Sequence, residues 1–209
     1  FSMGIDQGWR RKVIRMVGEE PVDHLLDVAT GTADLAILGS LKAKRVTGAD
    51  ISEGMLGLGR EKVAKRGLSD RISLVQADSE KLPFADGAFD AVTVAFGVRN
   101  FEHLAVGVKD MVRVLRPGGR LFVLEFSKPH KTPFKQLFRF YFHRVMPTVG
   151  KAISKDSAAY TYLPQSVDAF PEGPAFEEVM RDAGLAEVRS YPLTGGIATL
   201  YRGRRPATH

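Results

Sequence analysis

The chain has 209 residues, 44% hydrophobic and 26% charged, the composition of a globular protein with a sizeable core. It contains no cysteine, which excludes disulfide scaffolds, thiol nucleophiles, zinc ribbons and iron–sulfur sites and leaves His, carboxylates and hydroxyls as ligands or catalysts. The net charge is +6, but seven Lys/Arg fall within residues 127–155 with no Asp or Glu among them, so the remainder is close to neutral and no nucleic-acid footprint is expected.

In chain order, apolar residues at three- and four-residue steps predict a helix over 6–16, which Glu19-Glu20-Pro21 ends. An apolar run over 24–29 predicts the first strand. A helix from about Asp34, a strand over 45–50, a helix over 52–65 and a strand over 71–76 follow. Beyond a loop come a strand over 89–96, a helix over 102–115 and a strand over 119–126. Strand then helix, repeated four times, predicts a parallel sheet buried on both faces by helices. The basic stretch that follows also holds Phe134, Phe138, Phe140, Tyr141 and Phe142. It is predicted to form an amphipathic helical insertion at about 127–170. Further helices are predicted over 160–170 and 174–183, then strands over 186–191 and 196–202, which lack a crossover helix and should be antiparallel neighbours. The expected fold class is α/β, doubly wound, and residues 1–209 are read as a single domain. No run reaches the roughly 20 apolar residues of a membrane span, and no signal-peptide pattern is seen, so a cytoplasmic location is expected.

Leu25-Leu26-Asp27-Val28-Ala29-Thr30-Gly31-Thr32-Ala33-Asp34 is the strongest single feature. A small-residue turn between a buried strand and a helix lets the backbone approach a ligand, at the sheet edge where doubly wound folds bind them. Asp50 ends the second strand nineteen residues after Gly31, the spacing at which a carboxylate accepts hydrogen bonds from ribose hydroxyls. Asp27 sits under the turn, where a pyrophosphate would not tolerate a second negative charge. Asp78, beside Ser79, closes the third strand. Several carboxylates around one crevice suit a cationic nucleoside such as S-adenosylmethionine better than a dinucleotide. Asp27 and Asp78 have a second reading as turn caps.

These residues carry a resemblance. Asp27-x-Ala29-x-Gly31, Asp50-Ile51-Ser52 with Met55 one turn on, Ala77-Asp78 and Leu115-Arg116-Pro117-Gly118-Gly119-Arg120 are similar to the ordered motifs of class I S-adenosylmethionine-dependent methyltransferases. Phe96-Gly97-Val98-Arg99-Asn100 and Leu124-Glu125-Phe126-Ser127-Lys128-Pro129 resemble, more specifically, the quinone-biosynthesis C-methyltransferases that act on demethylmenaquinol and polyprenyl benzoquinols. The resemblance runs over residues 1–203. It implies a Rossmann-like sheet of seven strands with the last one antiparallel, S-adenosylmethionine as cofactor and a polyprenyl quinol as substrate. It also implies cofactor contacts at Asp27, Gly31, Thr32, Asp50, Met55, Asp78 and Ser79, with Asp50 on the ribose, Asp78 near adenine and Met55 packed on the nucleoside. Ala29 and Ala33 depart from the family by standing where glycine is common. Ala95 departs by replacing a small hydroxyl residue.

Methyl transfer to a ring carbon needs alignment, exclusion of water and a deprotonated neighbouring hydroxyl. Arg99 is the candidate to stabilise the phenolate and Asn100 to hold the ring oxygen, with the alternative that Arg99 pairs with an acid such as Glu102. No metal is expected, since no His/Asp/Glu cluster has coordinating spacing. For a polyprenyl tail, residues 134–145 would flank the entrance while Lys131, Lys135, Arg139 and Arg144 meet anionic headgroups. Transient contact with the inner face of the cytoplasmic membrane through 128–151 is therefore expected. A short-chain dehydrogenase would carry Tyr-x-x-x-Lys, and a base methyltransferase an Asp/Asn-Pro-Pro-aromatic loop; neither occurs. A non-catalytic cofactor-binding module is the remaining rival.

Overall fold

Residues 5–129 and 169–207 are described by a computed structural model. Seven strands, β1 (Val22–Val28), β2 (Ala43–Asp50), β3 (Ile72–Gln76), β4 (Phe89–Ala95), β5 (Leu115–Phe126), β6 (Ala186–Leu193) and β7 (Ala198–Arg204), form one sheet in the order β3-β2-β1-β4-β5-β7-β6. The first five are parallel, and β7 is antiparallel to both β5 and β6, as the sequence leads one to expect. The described α-helices are α1 (Ile5–Val17), α2 (Asp34–Gly39), α3 (Glu53–Lys65), α4 (Leu104–Val114) and α5 (Pro174–Asp182). The helix predicted over 160–170 and most of the insertion at 127–170 lie outside the described residues.

Strand side chains alternate between two cores, as a buried sheet requires. Leu25, Val46, Phe122 and Leu124 face Trp9, Val13 and Val17 of α1. Leu26, Val92, Leu121 and Val123 face Val108 and Met111 of α4 and Phe176 and Met180 of α5. Each such side chain, taken out of water, contributes about 1.5–3 kcal/mol.

Several strand ends differ from the sequence reading by about two residues, and two element starts differ for a clear local reason. Helix α4 starts at Leu104, not 102, because the Glu80 carboxylate accepts from the His103 backbone N–H at 2.7 Å and holds that residue outside the helix. Strand β5 starts at Leu115, not 119, because Pro117-Gly118-Gly119 loops out between two paired stretches, Phe89 with Leu115 and Ala91 with Arg120. Gly118 takes φ +79° there, a conformation that glycine adopts without steric cost.

Helix α1 is anchored from below by Arg120. This β5 side chain, only 2% exposed, donates to the carbonyls of Met16 (3.2 Å), Val17 (3.0 Å) and Glu20 (3.4 Å). It satisfies carbonyls that a helix end leaves orphaned and sets a cation at the negative end of the helix dipole. The opposite half of α1 thereby holds Trp9 and Arg10 over the carboxyl ends of the strands. Strands β1, β2 and β3 wind outward in one direction, and β4 and β5 in the other. The reversal between β1 and β4 opens the crevice in which such sheets hold ligands.

Candidate active site

The crevice is built on the turn from β1 to α2. The Thr30 N–H donates to Ala49 O at 3.0 Å and the Ala33 N–H to Thr30 O at 2.9 Å, drawing the turn tight against β2. Ala29, Gly31 and Ala33 all adopt left-handed φ, at 52°, 56° and 66°. The two alanines therefore keep the backbone path that glycine would follow, at a steric cost of about 1–2 kcal/mol each. Room for the Ala29 methyl comes from Gly97, where an added Cβ would lie 2.5 Å from that methyl and 3.2 Å from Val94. Gly97→Ala is expected to lower stability by about 2 kcal/mol, read from the urea midpoint at unchanged slope.

Above the turn lies a cleft of about 250 Å³, bordered by Asp27, Gly31, Thr32, Met55 and Ala95 and roofed by Arg10. Asp27 is 1% exposed at the end of β1; its Oδ2 accepts from the Thr30 hydroxyl at 2.6 Å and its Oδ1 from the Thr93 hydroxyl at 2.8 Å. Burial pushes its pKa up to about 6, against the opposing effect of the two hydroxyls and of Arg10. At neutral pH the base of the cleft is thus a desolvated negative charge. Asp50, at the end of β2, accepts from the Gly31 N–H (2.8 Å, Oδ2) and the Ser52 N–H (2.9 Å, Oδ1), which fixes its carboxylate at the rim with a further lone pair on each oxygen. Met55 reaches over the turn, its methyl 3.4 Å from where a Cβ on Gly31 would stand. The Thr32 hydroxyl also borders the cleft and accepts from Lys62 Nζ at 2.8 Å.

Beside Ala95 the cleft gives way to an aromatic wall. The rings of Phe96 and Phe126 lie 4.5 Å apart, and Trp9 stands 6.1 and 6.2 Å from them, its indole N–H donating to the Thr194 hydroxyl at 2.9 Å. Arg10 lies 5.3 Å over the Phe96 ring and Arg99 5.6 Å over Phe126. Arg99 Nη1 donates to Glu125 Oε1 (2.7 Å) and to Phe96 O (2.6 Å), while its Nε is buried without an acceptor among the described residues. Glu125 is fully buried; desolvation holds its carboxyl above the usual carboxylate range, opposed by Arg99. The partner of Arg99 is therefore Glu125 on β5, not a surface acid such as Glu102.

The family model for the ubiE/COQ5 methyltransferase family matches residues 1–205. The chain belongs to that family. It is 50% identical over 203 residues to a demethylmenaquinone methyltransferase of Bacteroides fragilis, covering 96% of this chain and 83% of the relative. It is 44% identical over 208 residues to a ubiquinone/menaquinone biosynthesis C-methyltransferase of Geotalea daltonii, covering 98% and 88%. A SAM-dependent methyltransferase of Aquifex aeolicus shares the fold at TM-score 0.62 and 19% identity over 94% of this chain and 89% of that one. The protein is accordingly an S-adenosylmethionine-dependent methyltransferase.

Of the residues that the sequence singles out in this methyltransferase, Asp27, Gly31, Thr32 and Met55 come together at the cleft, and Asp50 joins them through its bond to Gly31. Asp78 and Ser79 do not border it. Asp78 is exposed and its Oδ1 accepts from the Glu80 N–H at 2.9 Å, which is the turn cap of the second reading. Its strand is nonetheless tied to the site, since the Ala77 N–H donates to Asp50 O at 3.0 Å. Asn100 is exposed at the end of a 3-10 turn, Val98–Asn100. Glu125, Thr93, Trp9 and Arg10 receive no role from the sequence alone. A charged residue inside Leu121-Phe122-Val123-Leu124-Glu125-Phe126 was the available signal for one of them, because an acid in a buried strand must have a partner.

Proposed function

We propose that this methyltransferase transfers the cofactor's methyl group to a ring carbon of a polyprenyl quinol, with demethylmenaquinol as the first substrate to test, in menaquinone or ubiquinone biosynthesis. The observation that carries the reading is the juxtaposition of an acid-based cleft with an aromatic wall beside which the buried Arg99 Nε–H has no acceptor among the described residues. The residues fit the cofactor: a desolvated carboxylate suits a cation, a rim carboxylate with free lone pairs suits ribose hydroxyls, and a thioether at the turn suits a flat base. Asp27 would stand nearest the positive charge, Asp50 would hold the ribose, and Met55 would pack on adenine toward Asp78 and Ser79. Bound there, the cofactor supplies an electrophilic methyl group on a sulfonium.

The chain's own residues then act on the acceptor. Phe96 and Phe126 form an apolar floor for a flat ring and exclude water from it. Arg99 Nε–H would donate to the ring oxygen and stabilise the negative charge that makes the neighbouring carbon nucleophilic, with Asn100 placed one residue on to hold the ring. Described residues on either side of the stretch 130–168 meet next to Phe126: the Lys128 N–H donates to Glu172 at 2.6 Å, and the neighbouring Ser127 hydroxyl donates to Gly196 O at 2.8 Å. That stretch carries Lys131, Lys135, Arg139 and Arg144 among its aromatics, and these four are proposed to meet anionic headgroups through 128–151. Changing all four to Glu should abolish sedimentation with anionic liposomes; unchanged binding would remove the membrane role.

Labelled-methyl incorporation into short-tail demethylmenaquinol and into the matching benzoquinol, each kept reduced, tests the reading. Label is expected in the ring of the naphthoquinol. Label in neither ring, with cofactor binding intact, would refute quinol methylation.

A further inference from the structure

We propose that Glu125 is the base of the reaction, accepting the quinol hydroxyl proton at Oε2 across one water while Arg99, held to Oε1 through Nη1, donates its Nε–H to the ring oxygen. The inference rests on the quinol reading above and deepens it. A guanidinium does not give up its proton in a protein, so Arg99 can stabilise an anion but cannot create one. The resting site holds one cation and one anion, Arg99 and Glu125, in contact at 2.7 Å and buried together. Ionising a quinol beside them without moving the proton elsewhere would leave two anions to one cation in a desolvated pocket, which is strongly unfavourable. Moving it to Glu125 conserves the charge of the site.

The two oxygens of Glu125 are unequally occupied. Oε1 accepts from Arg99 Nη1 at 2.7 Å and from the Phe126 N–H at 2.9 Å, while Oε2 has, among the described residues, one long contact of 3.4 Å from the Arg99 N–H. Oε2 is thus the open position for a proton. The donor that meets the ring oxygen is the buried Arg99 Nε, which has no acceptor among the described residues. Of the charged groups on the elements packed around Glu125, Arg99 faces it from the turn after β4. Arg10 on α1 lies over Phe96, and Thr199, its register partner on β7, is uncharged. Asp27 titrates across the cleft and is held ionised when the cofactor is saturating.

In the balanced step the O–H bond of the ring hydroxyl breaks, an O–H bond forms on Glu125, and nothing is oxidised or reduced. The ring carbon then takes the methyl as the S–CH3 bond breaks. Loss of the ring C–H proton and return of a hydroxyl proton restore the aromatic quinol. One proton leaves to solvent per turnover, and Glu125 is again ionised beside Arg99.

The test is the pH profile of kcat/KM for short-tail demethylmenaquinol at saturating cofactor, for wild type, Glu125→Gln and Glu125→Asp. Wild type should lose activity as pH falls through the titration of Glu125, which burial holds above the ordinary carboxylate range. Glu125→Gln keeps the shape of the side chain and should be slower by about 100-fold or more, with that acid limb gone. Retention of the limb by Glu125→Gln, or activity within about threefold of wild type, would overturn the proposal. Should Glu125→Gln fail to bind cofactor, Glu125→Asp decides: a displaced limb supports the proposal and an unmoved one contradicts it. A wild-type enzyme that leaves the quinol unmethylated contradicts the functional reading instead.

Discussion

Arg99→Leu is expected to lower kcat for quinol methylation by about 10³-fold and to destabilise the protein by about 3–5 kcal/mol, because it removes the proposed donor to the ring oxygen and leaves Glu125 buried without its cation. The two effects separate in the double variant Arg99→Leu with Glu125→Leu. An apolar pair of similar volume should recover most of the lost stability, since a buried ion pair is often no better than the packing that replaces it. Activity should stay low, because the double variant holds neither donor nor carboxylate. Arg99→Lys keeps a cation for Glu125 and Phe96 O, which the Arg99 side chain meets through Nη1 alone, but loses the separate Nε–H proposed to reach the ring oxygen. It should remain folded, bind cofactor within about threefold of wild type and still be slower by about 100-fold. Urea unfolding, calorimetry and single-turnover methyl transfer read the three quantities independently. Full activity in Arg99→Lys would remove the ring-oxygen role from this residue.

The second large effect belongs to Asp27, where function and stability pull in opposite directions. Its pKa in the folded protein is about 6, above the ordinary 3.8, so the folded state binds this proton more tightly than the unfolded chain does. Stability from this group is therefore full below pH 3.8, falls as pH rises through about 6 and stays lower beyond, by about 3 kcal/mol in all. Asp27→Asn removes that desolvated charge while keeping the shape, and the Thr30 and Thr93 hydroxyls can turn to suit an amide. At pH 7 the free variant is expected to be more stable than wild type by about 2 kcal/mol, with the pH slope between 4 and 6 flattened. Its affinity for S-adenosylmethionine should fall by about 100-fold, with a smaller loss for the uncharged demethylated product. An Asn variant that is less stable at every pH would mean that Asp27 serves the fold through its hydrogen bonds alone.

The sheet was legible because its information is local: short apolar strands separated by helical periodicity leave few topologies, and the antiparallel end follows from the missing crossover before β7. The turn chemistry was legible for the same reason, since Asp27, Gly31 and Asp50 lie at the ends of recognisable strands. What the sequence did not disclose are pairings between distant segments. Nothing near Arg99 in the chain names Glu125, 26 residues on, as its partner, and a nearby acid such as Glu102 is the natural guess. Thr93 looks like an ordinary strand residue until register sets it opposite Asp27. Trp9 and Arg10 reach the site through tertiary contacts of their helix, with Arg120 at its far end and Thr194 on the Trp9 indole. Asp78 shows the limit of such local signals: strand end and residue type suggest a ligand, and the same residue caps the local turn by accepting the Glu80 N–H at Oδ1.

The desolvated carboxylate of Asp27 is the proposed seat of the cofactor's positive charge. Calorimetry of S-adenosylmethionine binding at pH 6, in two buffers that differ in heat of ionisation, measures this directly. A cation seated at Asp27 should drive it to ionise, releasing about half a proton per cofactor bound, and the uncharged product and Asp27→Asn should release much less. Proton release that is the same for the product and the sulfonium, or unchanged in Asp27→Asn, would contradict the placement.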